Sequence, residues 1–274
     1  MTYPWLEGPL ITASYGWRLE RSDGVTIGFT SHDRDILLDG LVYRASPGIA
    51  PTSIVQGLGL DANSLEVSGA LTSDALSAAD IEAGKWDGAS LDIFLFDWTD
   101  PHAQPLLLAS GILGAINWSG SAFEVEFLGP AALLSAPSVP VTSPTCRAKF
   151  AGEGCGLNSR RFILEVLVAT VNGSELTLQQ ALTGDASRFV NGKIRWLSGR
   201  NCGFRQRIAA STQDKLVLIG ESPFPTPGPE RIEILEGCDR TIATCSSRFN
   251  NALNFRGEPY LPGNDLLTRY PGAN

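Results

Sequence analysis

The 274-residue chain has only two histidines, at 32 and 102, which excludes an HExxH zinc centre. It also lacks a GxSxG nucleophile elbow, a phosphate-cradling Gly-Lys loop and a dinucleotide fingerprint, so enzyme chemistry has no motif to rest on. Charged residues are scarce, at 18% against 43% apolar. That balance suits a protein that hides surface against partners, and equally a Gly- and Pro-rich all-β domain. No apolar run reaches a membrane-spanning length, the longest being broken by Asp, Gly or Pro within about ten residues. The opening MTYPWLEGPL has neither the basic nor the apolar region of a secretion signal, so folding in the cytoplasm is expected. There is no repeat of fixed period and no long helical pattern.

What charge there is divides unevenly. Residues 1–140 carry five cations against 17 carboxylates, a net of −12, whereas residues 141–274 carry 16 against 12, a net of +4. An acidic first half is a poor grip for nucleic acid, because backbone binding needs cations to replace counterions.

Gly and Pro punctuate short strand-like runs, which predicts a mainly β fold. ITASYGWRLE and VTIGFTSHDRDI read as strands around the turn Arg21 to Gly24. LLDGLVYRAS turns at Asp39-Gly40, a pair suited to the positive φ of a tight hairpin, and SLEVSGAL adds a strand. Ser77 to Asp80 has capping-box form and Gly84 sits at a C-cap position, predicting a helix over 78–83. In SLDIFLFDW, Leu91, Ile93 and Leu95 alternate with Asp92, Phe94 and Phe96, so this strand is expected to be central and covered on both faces. Further strands run to Gly129, with one helical turn expected in AALLSA.

SAPSVPVTSP marks a boundary near 135–145, giving an acidic β-rich part over 1–140 and a second β-rich part over 141–274. In the latter, RFILEVLVATVNGSELTL predicts a hairpin turning at Asn172-Gly173, and RFVNGKIRWL repeats the device at Asn191-Gly192. KLVLIG and RIEILEG complete the unit, PFPTPGPE reads as a stiff exposed loop, and PYLPGND as an ordered one.

All five cysteines, at 146, 155, 202, 238 and 245, fall in the second part. Cys146 and Cys155 are separated by eight residues, Cys238 and Cys245 by six, in glycine- and turn-rich sequence able to wrap a small inorganic centre. Disulfides are disfavoured by an intracellular origin and an odd count. Zinc suits four thiolates, though its structural ligands are usually spaced more closely. A cubane iron–sulfur cluster also takes four thiolates, and wider loops reach around its bulk. Spacing alone leaves a metal centre, inert thiols and disulfides open. Cys202, with no near neighbour, reads as a buried or partly buried free thiol.

Cys146 to Gly156, followed by GCDRTIATCSSRFNNALNFRGEPYLPGND at 237–265, resembles the C-terminal domain of tail-tip hub proteins of long-tailed phages and alphaproteobacterial gene transfer agents. FTSHDRDI at 29–36 and ALSAADIEAGKWDGASLDIFLFDW at 75–98 resemble the same family, so the resemblance covers most of the chain. It implies tandem β-barrel-like domains with a small cysteine-ligated C-terminal metal domain formed by 146–155 and 238–265. It further implies a [4Fe-4S] cluster on Cys146, Cys155, Cys238 and Cys245, whose gaps match those of the lambda-type tail-tip proteins, with zinc as the alternative metal; Cys202 has no counterpart. The family's role implies a homotrimer in the tail baseplate, adapting a hexameric tube to a trimeric tip. Its expected neighbours are the distal tail ring, the large central host-contacting protein and the end of the tape-measure protein. DNA would pass the acidic half without specific binding. An iron–sulfur electron carrier and a host-surface or carbohydrate-binding module, the latter needing exposed coplanar Trp, are the alternatives.

Ser31-His32-Asp33 has triad residue types, but in a strand His32 points away from both neighbours, whereas a triad needs its base between them. Local backbone hydrogen bonds are expected there instead. His102 reads as an exposed turn residue. The six tryptophans are expected mostly in cores or subunit contacts, and Phe249 and Phe255 beside the cluster or against the second barrel.

Overall fold

The computed structural model describes residues 3–45, 64–69, 77–119, 122–129 and 139–260. The chain divides into two compact units, Met1–Ser138 and Val139–Asn274. AALLSA and most of PYLPGND lie outside the described residues.

Among the described residues the first unit forms an eight-stranded sheet. Its strands are β1 (Ala13–Glu20), β2 (Thr26–Thr30), β3 (Ile36–Leu38), β4 (Leu41–Ala45), β5 (Ser64–Gly69), β6 (Ser90–Asp97), β7 (Leu106–Ser119) and β8 (Ala122–Leu128). They lie in the order β3-β4-β2-β1-β6-β7-β8-β5, all pairs antiparallel except β2 with β4. β6 is flanked by β1 and β7. Its alternation feeds two cores: Leu91 and Ile93 pack with Trp17, Phe29 and Trp86, while Phe94 and Phe96 pack with Leu38 and Tyr43. Each fully buried side chain of this size stabilises the unit by roughly 1.5–3 kcal/mol. The β3–β4 turn has Asp39 at φ 47 and Gly40 at φ 79, both positive as a tight hairpin requires. Helix α1 (Ala78–Glu82) starts where Ser77 Oγ accepts from Asp80 N at 3.1 Å.

The second unit is a closed six-stranded barrel of β9 (Ile163–Asn172), β10 (Glu175–Leu178), β11 (Lys193–Trp196), β12 (Arg205–Ser211), β13 (Lys215–Leu218) and β14 (Glu230–Leu235), in the order β10-β13-β12-β11-β14-β9. Alternation sends Val168, Leu176, Ile194, Trp196, Ile208, Leu216, Ile232 and Ile234 inward, each fully buried. Trp196 satisfies its indole by donating from Nε1 to Gln206 Oε1 at 2.9 Å.

Three local expectations are corrected. The β9–β10 turn is Gly173-Ser174, because Asn172 already pairs with Glu175. Before Asn191 there is no strand but a 3-10 turn, Ala186–Phe189. Asp185 caps that turn by accepting from Ser187 N at 2.9 Å, a local bond that outcompetes a ladder. In the Pro-rich loop, Phe224 is buried, tied by its backbone N and O to the side chain of fully buried Asn201.

Candidate functional site: a four-cysteine cavity beside the barrel seam

Barrel closure brings the cysteine segments together. The first and last strands, β9 and β14, pair antiparallel, with Ile163 opposite Leu235. The chain entering β9 and the chain leaving β14 therefore lie at the same end of the barrel. There the backbones join directly: Cys146 N donates to Arg240 O and Arg147 N to Arg256 O, both at 2.9 Å. The Arg147 guanidinium adds a two-point bond to the Glu258 carboxylate at 2.6 and 2.7 Å. That bond, with the Ser143 N–H, holds the Glu258 carboxyl down at about 2.

Cys245 is carried by helix α2 (Ile242–Ser247), whose N-cap Thr241 accepts from Thr244 N at 3.2 Å. Asp239 braces the same turn by accepting from Thr241 N at 2.9 Å and Thr244 Oγ1 at 2.7 Å. Burial works to raise the Asp239 carboxyl, but these bonds outweigh it and the net shift is downward. The helix ends where Asn250, at φ 47, donates to Ser246 O at 3.1 Å, the left-handed cap that glycine or asparagine favours.

Cys146, Cys155, Cys238 and Cys245 line one cavity, with Phe150, Phe249 and Phe255 among its walls. Phe150, Phe162 and Phe249 stack within 4.9 to 5.6 Å of one another. Cys155 and Cys245 are buried, Cys146 and Cys238 half-buried, and all five thiols are free. Three sulfurs receive an N–H: Cys238 from Arg240 N at 3.3 Å, Cys146 from Arg256 N at 3.4 Å and Cys155 from Asn251 Nδ2 at 3.6 Å. The fourth, Cys245, donates its own thiol hydrogen to Asn251 O at 3.4 Å. Burial pushes the Cys238 and Cys245 thiols up, so a metal centre would have to displace their protons. Among the described residues no three His, Cys, Asp or Glu close in on a single ion. The cavity is small, about 20 Å³. Four soft thiol donors thus line a common space, three of them supplied with N–H donors, a donor set chemically able to hold a thiophilic metal centre.

Cys202 lies apart and is exposed, which corrects its expected burial: its neighbour Asn201 takes the interior position instead. The triad residues do not assemble. His32 does approach one neighbour, Asp33 Oδ1 standing 3.1 Å from His32 Nδ1, because residues 31–34 bend rather than continue a strand, but that nitrogen accepts from Arg34 N at 3.1 Å and Ser31 Oγ accepts from Tyr15 N at 3.0 Å. His102 is exposed in a turn, accepted at its N–H by Asp100 Oδ1 at 3.1 Å. Trp17, Trp86 and Trp196 are buried and Trp98 is 40% exposed; the side chain of Trp118 lies outside the described residues. Sequence reading missed Asn251 and the Arg147–Glu258 pair. The run Asn250-Asn251 after a short capped helix was the available signal for the first; nothing local links residues 147 and 258.

The mainly β fold with its closed barrel is the one that the resemblance to tail hubs implies. The comparisons agree: residues 4–158 match the family described as baseplate hub protein, N-terminal attachment domain, and residues 187–265 match a phage conserved hypothetical protein family, BR0599. A chain of a solved structure described as the virion of a native gene transfer agent particle is similar over 99% of this chain and 96% of its own, with 30% identity and a TM-score of 0.84. No curated protein sequence matches. The chain belongs to the baseplate hub family, as a component of a phage-like tail baseplate.

Proposed function

We propose that this baseplate hub protein works as a trimeric adapter whose second unit is tied by a [4Fe-4S] cluster on Cys146, Cys155, Cys238 and Cys245. The observation that carries the cluster is the convergence of these four thiols on one cavity, three of them receiving N–H donors. Such a cluster would supply four fixed bonds and so join the 146–155 segment to the 238–245 segment. The protein's own part is to bring the sulfurs together through barrel closure, exclude water with Phe150, Phe249 and Phe255, and direct amide hydrogens at the sulfurs.

Two β units in one chain support the adapter reading, since three copies would present six units to a hexameric tube. The neighbours would be the distal tail ring, the central host-contacting protein and the end of the tape-measure protein. The acidic first half, net −12 over residues 1–140, would let DNA pass without adhering. The test is iron, acid-labile sulfide and zinc per chain in protein purified without oxygen, together with native mass. About four iron and four sulfide per chain in a trimer support the proposal. One zinc per chain, or none of the three elements, overturns the cluster, and a monomer that stays monomeric on tail tubes overturns the adapter.

A further inference from the structure

We infer that Asn251 is the positioning residue of the cysteine centre, its amide holding the Cys155 segment against the Cys245 helix before any metal arrives and giving an N–H to the Cys155 sulfur. This rests on the cluster reading and deepens it. Asn251 is nine-tenths buried, and each of its polar groups is engaged. Its Nδ2 donates to Cys155 O at 2.8 Å and to Cys155 Sγ at 3.6 Å. Its Oδ1 accepts from Asn254 Nδ2 at 2.7 Å. Its backbone N donates to Cys245 O at 3.0 Å, while its backbone O accepts from Cys245 Sγ and from Asn254 N. Because the Cys155 carbonyl can only accept, the amide has one orientation, which Asn254 holds from the other side.

One residue thus touches two cysteines that stand 90 positions apart in sequence. The other N–H donors to sulfur, from Arg240 and Arg256, are backbone groups. Among the described residues Asn251 is the side chain that donates to a cysteine sulfur. A hydrogen bond to a ligating sulfur withdraws charge from the centre and favours its reduced form, so Asn251 would act on potential as well as on assembly.

The experiment compares the full-length wild type with Asn251→Leu, similar in size but without a donor, and with Asn254→Leu, which removes only the group that orients the amide. In metal-free, reduced protein, alkylation by iodoacetamide is followed at each cysteine by mass spectrometry. Cys155 and Cys245 are expected to react at least about tenfold faster in Asn251→Leu than in wild type, through local opening, with exposed Cys202 unchanged as the internal reference. In cluster-loaded protein, iron loss to a chelator should quicken by about ten- to hundredfold, as outer partners of metal ligands usually show, and the reduction potential should fall. Asn254→Leu should move the same readouts in the same direction by less. Wild-type alkylation rates in Asn251→Leu would overturn the latch. A wild-type potential alongside fast alkylation would overturn the sulfur hydrogen bond while leaving the latch. Wild-type protein without iron would sink the cluster reading, yet the alkylation rates would still decide the latch. Should Asn251→Leu fail to fold, Asn254→Leu decides, and unchanged rates there would overturn the inference.

Discussion

Gly237 links the barrel to the cysteine centre, and Gly237→Ala tests that link. The residue leaves β14 and directly precedes Cys238. A Cβ there would lie 1.8 Å from Val190 O and 2.5 Å from Gly192 N, where real Cβ contacts stay beyond 3.0 Å. The obstructing atoms are backbone, so rotamer change gives no relief, and the segments must part by at least 1.2 Å. That motion stretches the bond from Gly237 N to Arg188 O, now 2.9 Å, and the one from Arg248 Nη1 to Gly237 O, now 3.2 Å. Overpacking costs about 1–3 kcal/mol and a lost hydrogen bond about 1 kcal/mol, so a loss of roughly 2–4 kcal/mol in the second unit is expected. Gly220→Ala is the control: its position has φ +93 and nothing within 4 Å of the new methyl, so only backbone strain of roughly 1–2 kcal/mol applies. The assay is guanidinium unfolding read by hydrogen exchange at β11 and β14 peptides, with iron per chain measured alongside. Gly237→Ala should unfold at lower denaturant than Gly220→Ala and hold less iron. Equal midpoints, or a destabilised barrel with full iron, would refute the argument that this backbone contact places Cys238.

Cys146→Ala and Cys238→Ala should each lose the metal and loosen the second unit, while Cys202→Ala, at an exposed thiol, should change neither; equal iron loading and unchanged melting of Cys238→Ala would contradict this. Acid should open the segment ahead of the barrel. Glu258 is held at about 2 when folded and would sit near 4.3 when unfolded. Its pairing therefore stabilises the fold fully above that value and is lost as pH falls from there toward 2. In metal-free protein, amide exchange at Ser143 and Glu258, whose backbones bond at 2.8 Å, should accelerate across that window and not between pH 6 and 8 once corrected for intrinsic rates. Glu258→Gln should remove the dependence.

Much of the fold was readable because the signals were local. Alternation in SLDIFLFDW placed a central strand with two covered faces, and Asp39-Gly40 and Ser77 fixed a turn and a cap through their own dihedrals and hydrogen bonds. The misreadings came where a local pattern had two outcomes. Asn191-Gly192 has hairpin chemistry, but Asp185 pulls the preceding residues into a 3-10 turn. Gly192 is there because Leu235 O leaves no room for a side chain, 2.2 Å from where a Cβ would sit. Asn201 and Cys202 are adjacent, and only tertiary structure decides which faces inward. In the candidate site, the four cysteines could be grouped by spacing and resemblance. The Asn251 latch and the Arg147–Glu258 clamp join positions about a hundred residues apart, and no sequence window contains both partners.

The position of the cysteine cavity says what a cluster there would strengthen. All six barrel strands lie between Cys155 and Cys238, so a tie between those residues closes a loop containing the whole barrel. In the chain-entropy picture, a cross-link over a loop of that size stabilises by on the order of 4 kcal/mol. The gain should not be uniform. β9 and β14 form the seam where first and last strands meet, and separating them requires the two cysteine segments to part. β10 and β13 pair with each other elsewhere in the ring and can fray without disturbing either segment. Loading the cluster should therefore slow amide exchange along β9 and β14, at Leu164, Val166, Ile232 and Ile234, more than at Leu176 and Leu216. Equal slowing at all six positions would mean that the metal acts on global stability alone, and no slowing at the seam would mean that the cysteine centre does not brace the barrel.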